Sequence, residues 1–239
     1  MVWILPTISR PRQTAEVLRR IIEHGCSTPG YVVVEGDGEG YGHLPMPQNW
    51  GVIFTRHFTD KKLGAIGTFN FAFNLFPNEP WYGFMSDDEF LMPESALDWD
   101  ERLVNAAGRW DIAHGWESLN QGKRGMHGYP CIGGDLVRAV GYLGVSTCWH
   151  SFGIDSMWEW LTAPRSFGGG DCCRSYYVPE VKIEHRHYRL GTAENDQCYK
   201  NADDHFEEDR VAFAEWQKNE MQKIGERVRS LRGIEREVT

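Results

Sequence analysis

Three acidic residues stand in a row directly after a short apolar segment. Asp87, Asp88 and Glu89 follow residues 82–85, which are predicted to form a buried strand. Carboxylates gathered at a strand end repel one another unless a cation neutralises them, and Mg²⁺ or Mn²⁺ with oxygen ligands is the usual partner. Such a cation can also bridge to a diphosphate and offset the charge on a departing nucleotide. A solvated turn without a metal is the alternative for the triplet taken alone.

Two histidines fall at the end of another predicted strand. His185 and His187 lie at positions i and i+2, so they share one face if the strand continues through them. Imidazole nitrogen is an acceptable ligand for Mn²⁺. A pair of histidines alone is more often structural, but together with the acidic triplet it favours a metal site.

Asp155 occupies the predicted start of a helix. At that position an aspartate is first of all an N-terminal cap. The same carboxylate could instead act as a general base that takes the proton of an acceptor hydroxyl. The sequence leaves both roles open and favours the cap.

The elements that must position these groups follow an alternating pattern of strands and helices. Strand, helix and strand in succession predict a parallel sheet with a ligand crevice at the carboxyl ends of its strands. Two further polar loops follow predicted strands, residues 6–11 and the glycine-rich, acidic residues 35–40. The predicted strands are residues 2–5, 31–34, 51–54, 81–85, 111–116 and 181–185, and the predicted helices are residues 12–24, 61–75, 99–107, 135–140, 154–161 and, in the charged tail, 204–232. Residues 122–134 are rich in glycine and are predicted to form loops.

Composition narrows the class of protein. The 239 residues carry a formal charge of −9, which argues mildly against a nucleic-acid partner, and include 10 Trp, 9 Tyr and 12 Phe, which suit flat ligands such as sugars and bases. The six cysteines lack CxxC-type pairs and the spacing of a disulfide framework, so we expect reduced thiols and no zinc site. No signal-peptide pattern and no apolar window of about 18 residues is present, so we expect a cytoplasmic protein without a membrane span.

The order of these motifs resembles that of family 2-like GT-A glycosyltransferases, and most closely the compact single-domain forms encoded by bacteriophages. The resemblance extends to about residue 201. It rests on the segments 4–7 with Arg10-Pro11, 35–38, 83–90, 154–158 and 181–187.

This resemblance implies an α/β, GT-A (Rossmann-like) single domain with a mostly parallel central sheet flanked by helices and a C-terminal helix. The domain would span residues 1–203, with a nucleotide-binding half at about 1–90 and an acceptor half at about 91–203. Residues 204–239 would form a helical extension packed on it. The oligomeric state is not predicted.

The implied activity is metal-dependent and inverting transfer of a sugar from a nucleoside diphosphate sugar, a UDP-sugar first, to an acceptor hydroxyl. Mn²⁺ or Mg²⁺ would be the cofactor. The implied donor-binding residues are Pro6, Thr7, Arg10, Glu35, Asp37, Asp87 and Asp88, the implied metal ligands are among Asp87, Asp88, Glu89, His185 and His187, and the implied base is Asp155. Two departures from the family pattern leave the direct carboxylate ligand and the nucleobase open. The acidic motif is Asp-Asp-Glu rather than Asp-any-Asp, and Glu35-Gly36-Asp37 replaces paired aspartates.

The acceptor is the least specified partner. Phage-encoded relatives imply a hydroxymethylated base in DNA, whose phosphates Lys61-Lys62, Lys123-Arg124 and Arg186 with Arg189 could contact. Trp149, Trp158 and Trp160 could stack on a base or sugar, although core packing is the commoner use of such residues. The rival functions are transfer to a glycan or small molecule, a hydrolase or nuclease using the same carboxylates and histidines, and a module that binds without turnover.

Overall fold

Strand β1 (Val2–Thr7) lies inside the sheet and is buried on both of its faces. Successive side chains of a strand point to opposite faces. Val2 and Ile4 accordingly pack into one apolar cluster, and Trp3 and Leu5 pack into a second cluster on the other face. A continuous apolar segment of this kind is typical of a parallel sheet covered by helices on both sides.

The computed structural model describes residues 2–36, 38–119, 128–150 and 152–233. Within these ranges the chain alternates between strands and helices. In chain order the elements are β1 Val2–Thr7, α1 Pro11–Glu23, β2 Gly30–Val34, β3 Trp50–Phe54, α2 Gly64–Leu75, β4 Trp81–Phe84, β5 Glu89–Leu91, α3 Trp99–Ala107, β6 Ile112–Glu117, β7 Cys131–Gly133, α4 Gly134–Val140, α5 Asp155–Thr162, β8 Ser175–His185, α6 Gln197–Trp216 and α7 Gln222–Arg232. A π-helical turn at Gln217–Met221 joins α6 to α7.

The described strands form one sheet in the order β3-β2-β1-β4-β7-β6-β8-β5. β1, β2, β3 and β4 are parallel, and β6 is parallel to β8. β7 runs antiparallel to both of its neighbours, β4 and β6, so β6 and β8 point in the same direction as the first four strands. The carboxyl ends of six strands therefore meet at one edge of the sheet.

Helices cover both faces of this sheet. One apolar cluster joins the sheet to α2, α4, α5, α6 and α7, and the other joins it to α1 and α3. The α/β class, the mostly parallel sheet and the C-terminal helix expected from the sequence are thus confirmed. Within the described ranges, no helix combines the length and the apolar character needed to cross a bilayer. All six cysteines are free thiols.

Two short strands, the start of β8 and the start of one helix differ from expectation. β8 begins at Ser175 rather than at residue 181. β5 and β7 were not predicted, and β7 (Cys131–Gly133) lies within the glycine-rich segment predicted as loop, of which residues 120–127 are outside the described residues. The glycines there permit close backbone packing: a Cβ on Gly133 would lie 2.2 Å from the carbonyl oxygen of Arg109. α6 begins at Gln197 rather than near residue 204, because the carboxylate of Asp196 caps it by accepting from the backbone N–H groups of Cys198 and Tyr199.

Gly83 tests the packing of the buried Trp3 against β4. A Cβ on Gly83 would lie 2.0 Å from the Trp3 ring, which is fully buried and fixed by a 2.7 Å bond from its indole N–H to Thr28. Gly83→Ala should lower the free energy of unfolding by about 1–3 kcal/mol through overpacking. Gly42→Ala is the control, because a Cβ there meets no atom within 4 Å. Urea unfolding measures both, and equal stability of the two variants would contradict the packing argument.

Candidate active site

The carboxyl edge of the sheet borders a cavity of about 570 Å³. Its walls come from the ends of β1, β2, β4 and β8, the start of β5 and α5, and the N-terminal turns of α6. Every sequence-predicted site residue that the structure describes lines it: Pro6, Thr7, Arg10, Glu35, Asp87, Asp88, Glu89, Asp155, His185 and His187. Asp37 lies outside the described residues.

Arg10 is a buried cation that connects two distant parts of the chain. Its Nη1 donates to Asp87 at 3.0 Å, and its Nε and Nη2 donate to the two carboxylate oxygens of Asp196 at 2.8 and 2.7 Å. The guanidinium also lies over the ring of Tyr199, 4.1 Å from its centroid. Burial lowers the pKa of Arg10, but Asp196 and Asp87 together raise it above its ordinary value. Arg10 is therefore always charged and holds the start of α6 against the acidic motif.

Asp87 is engaged by protein groups at both carboxylate oxygens. The Thr7 hydroxyl donates to one oxygen at 2.7 Å, and Arg10 donates to the other. Thr7 is itself hydrogen-bonded to Thr14 and Tyr41. Burial raises the pKa of Asp87, and Arg10 opposes that rise. Asp87 therefore links the end of β1 and the loop after it to the loop after β4.

Asp88 and His185 face each other in the cavity. Asp88 Oδ2 lies 3.6 Å from His185 Nε2 and 2.8 Å from the Tyr199 hydroxyl, and Ser86 donates to the other carboxylate oxygen. His185 Nδ1 donates to the buried Glu117 at 2.9 Å, which fixes the ring. Burial lowers the pKa of His185, but its bonds to Asp88 and Glu117 raise it to about 11. Burial raises the pKa of Asp88, but its contact with His185 lowers it below the ordinary value.

A cation that displaces the Nε2 proton of His185 would find the Asp88–His185 pair at the spacing of two of its ligands. Ligand atoms about 2.1 Å from a metal and at right angles lie about 3 Å apart, close to the observed separation. Among the described residues, no three His, Cys, Asp or Glu side chains form a group that could hold a metal by themselves. Mg²⁺ commonly uses one or two carboxylates, retains waters and completes its shell with substrate phosphates. The residues present therefore fit a cation that the diphosphate of a ligand helps to bind.

Glu35 and Glu89 differ in how their carboxylates are used. Glu35 accepts from the backbone N–H groups of Leu63 and Gly64 at 2.8 and 3.0 Å, so it holds the start of α2 while bordering the cavity. Glu89 is 9% exposed, and no described residue donates a hydrogen bond to its carboxyl. Burial is the main reason why the pKa of Glu89 is raised to about 8. His185 lowers this pKa, and neighbouring carboxylates, including Asp155, raise it.

Asp155 lines the cavity at the start of α5. It is exposed and is the first residue of α5, whose N-cap is Ile154. No side chain caps this helix, so the favoured capping role of Asp155 is wrong: the backbone places the cap one residue earlier. The loop before it is fixed from α6, because the buried Asp209 accepts from the backbone N–H groups of Trp149 and His150 at 2.5 and 2.8 Å.

His187 follows the end of β8 and does not share a strand face with His185. Its Nδ1 accepts from the backbone N–H of Arg189 at 3.2 Å, and its ring centroid lies 5.7 Å from that of His185. Burial, together with the nearby His185, lowers its pKa. His187 thus stands beside the Asp88–His185 pair without a described contact to Asp88.

Several contributing residues were missed from the sequence. Glu117 lies at the carboxyl end of β6, where the rule used for the acidic triplet would have identified it. Asp196 caps the start of a helix, and a capping aspartate can be recognised from the local sequence. Its pairing with Arg10 cannot be recognised in that way. Nothing in the local sequence around Tyr41 and Tyr199 indicates that they contact the site.

The side chains considered for nucleic-acid contact are mostly engaged. Arg186 pairs with Glu16 and Glu184 at 2.7 and 3.0 Å, and Arg189 pairs with Asp203. Lys61 and Lys62 are exposed, and Lys123 and Arg124 lie outside the described residues. Among the tryptophans, Trp158 is fully buried core, and Trp149 stacks on His205 at 5.2 Å. The indole N–H of Trp160 donates to the carbonyl of Gly168.

Comparison with known proteins identifies the fold. No protein-family model matches the sequence, and no curated protein does. Glucosyl-3-phosphoglycerate synthase from Mycobacterium tuberculosis, solved with Mn²⁺, UDP and glucosyl-3-phosphoglycerate, superposes with a TM-score of 0.56 at 11% identity over 99% of this chain and 81% of that chain. GalNAc-T7, solved with UDP, GalNAc and Mn²⁺, superposes with a TM-score of 0.55 at 11% identity over 96% of this chain and 54% of that chain.

The chain has the GT-A fold. This confirms the Rossmann-like architecture that the motif order implied. At such low identity the likeness establishes the fold, and the activity must be argued from the side chains of the cavity.

Substitution of Asp196 tests whether its ion pair with Arg10 holds α6 in place. Asp196→Asn keeps a good capping residue but removes the ion pair with the buried Arg10, so it should lower the free energy of unfolding by about 1–3 kcal/mol. Asp196→Ala should cost about 1 kcal/mol more, since the cap is lost as well. Asp98→Asn, which breaks an exposed pair with Arg102, is the control. If urea unfolding gives Asp196→Asn the stability of the control, Arg10 does not hold α6.

Proposed function

We propose that the protein is a metal-dependent glycosyltransferase that moves a sugar from a nucleoside diphosphate sugar to an acceptor hydroxyl. The observation that carries this proposal is the Asp88–His185 pair, 3.6 Å apart at the carboxyl edge of a GT-A sheet. The cavity beside it is large enough for a nucleotide and part of a sugar. UDP and Mn²⁺ in the two similar structures support a UDP-sugar donor and Mn²⁺ or Mg²⁺.

The donor would lie across the ends of β1 and β2. Pro6, Thr7 and Glu35 line that part of the cavity and would contact the base and ribose, as would Asp37. Arg10 and Asp87 fix the shape of this wall through their mutual ion pair. The diphosphate would then point towards Asp88 and His185.

The transfer would be a direct displacement with inversion at the anomeric carbon. A bound Mn²⁺ or Mg²⁺ would offset the negative charge on the leaving nucleoside diphosphate. Glu117 orients the His185 ring, and Ser86 and Tyr199 orient the Asp88 carboxylate. As the acceptor oxygen bonds to the anomeric carbon and the sugar–phosphate bond breaks, Asp155 takes the acceptor's proton.

The acceptor named by the phage-type resemblance, a hydroxymethylated base in DNA, stays a prediction. The net charge of −9 does not support it, nor does the pairing of Arg186 and Arg189 with carboxylates. The exposed Lys61 and Lys62 are the described groups that would favour it.

Ligand-induced thermal shifts test the donor and metal assignments. A ligand at about 100 times its Kd should stabilise the protein by about 2.7 kcal/mol, so we expect a clear rise in Tm with one nucleoside diphosphate, dependent on Mn²⁺ or Mg²⁺ and abolished by a chelator. Asp88→Asn and His185→Ala should lose the metal-dependent part, and the exposed control Asp60→Asn should keep it. If a metal ion alone raises the Tm and no nucleotide raises it further, the result would favour a metal-dependent hydrolase instead.

Asp155→Asn tests the base assignment. Turnover should fall about 100-fold or more, since the proton acceptor is lost, while the donor-induced thermal shift should match that of the unaltered protein. Near-normal turnover would exclude Asp155 as the base. The anomeric configuration of the product, read by NMR against that of the donor, tests inversion, and retained configuration would exclude direct displacement.

A further inference from the structure

Glu89 is held in a fixed position in the wall of the cavity. It is the first residue of β5 and pairs with His185 across the antiparallel ladder, so both side chains point to the same face of the sheet. The next residue, Phe90, is buried on the other face, and the Tyr129 hydroxyl donates to the Glu89 carbonyl at 2.8 Å. Rotation or slippage of β5 would break these contacts.

The side chain of Glu89 is largely buried, and its carboxyl borders the cavity. It is 9% exposed, lines the cavity and accepts no hydrogen bond from a described residue. Asp88, Glu117 and Asp155 are acidic groups close enough to act on it, and His185 is the opposing cation. A carboxyl that faces the cavity and receives no hydrogen bond from a described residue is available to a ligand that donates hydrogen bonds to it.

Apolar side chains line the same cavity as Glu89 and Asp155. Leu119, Phe152 and Leu190 are among them, and Leu119 and Leu190 are 41% and 48% exposed. Exposed apolar walls beside carboxylates match a sugar ring, which has apolar C–H faces and hydroxyl donors around its edge.

The charges of this region disfavour an anionic acceptor. Among the described residues, both arginines that line the cavity are paired: Arg10 with Asp87 and Asp196, and Arg189 with Asp203. Burial lowers the pKa of His150, which keeps that ring neutral. A phosphate or carboxylate placed here would face acidic groups without a free cation from these residues.

We infer that Glu89 and Asp155 together form the acceptor subsite, and that it takes a neutral carbohydrate hydroxyl in preference to a phosphorylated or nucleic-acid acceptor. Glu89 binds a neighbouring hydroxyl of the acceptor sugar and orients it, while Asp155 receives the proton of the reacting hydroxyl. This inference rests on the proposed function, because it uses the same cavity and donor.

An acceptor panel with the full chain tests the class of acceptor. With the donor and metal found by thermal shift, release of nucleoside diphosphate above the acceptor-free rate is measured for neutral alkyl glycosides and disaccharides, for 3-phosphoglycerate, and for an oligonucleotide containing hydroxymethylcytosine. We expect stimulation by at least one neutral saccharide and none by the two anionic acceptors. Stimulation by an anionic acceptor alone, or by no neutral saccharide, overturns the assignment. Failure of metal-dependent nucleotide binding would instead reject the proposed function.

Glu89→Gln tests the role of the carboxyl without a change of size. The acceptor KM should rise at least 10-fold, because an amide offers one acceptor oxygen where the carboxyl offers two, while the donor KM and the metal dependence stay the same. The exposed Glu94→Gln is the matched control and should change neither constant. A Tm scan confirms that both variants fold. An unchanged acceptor KM, or loss of metal-dependent donor binding with Glu89→Gln, overturns the proposal.

Discussion

The ion pair between Arg10 and Asp87 is the constraint on which the cavity depends. The Arg10 side chain is 6% exposed, and such a buried arginine is tolerated only where carboxylates surround it. Asp87 and Asp196 supply these carboxylates from two distant parts of the sequence. Asp87 is in turn bonded to Thr7, so the loops after β1 and β4 and the start of α6 form one connected network. The adjacent Asp88 is thereby presented to His185.

The reversed strands give the site its second set of groups. Because β5 runs against β8, the beginning of β5 rather than its end lies at the carboxyl edge of the sheet, which places Glu89 beside His185. Because β7 is also reversed, β6 points in the same direction as β4, and its last residue, Glu117, reaches the His185 ring. Two strands of three residues each therefore determine which side chains meet.

The sequence predicted most of the sheet and the motif residues that line the cavity. Long apolar segments such as residues 2–5 identify strands, and strand ends identify loops that share an edge. β5 and β7 are too short to show a periodicity, and β7 lies among glycines. Asp155 was misjudged as a cap because a backbone conformation, which places Ile154 at the N-cap, decides that role. The pairing of Arg10 with Asp196 has no local signal, since it is purely tertiary.

The contribution of α6 links completion of the cavity to the order in which the chain is made. Arg10 and Asp196 are 186 residues apart, so Arg10 and Asp87 are synthesised well before their third partner. Contacts across such separations form late in folding. Tyr199 and Asp209, which orient Asp88 and the loop before Asp155, arrive with the same helix. The first four parallel strands can thus assemble first, and the cavity is complete only after α6 has docked.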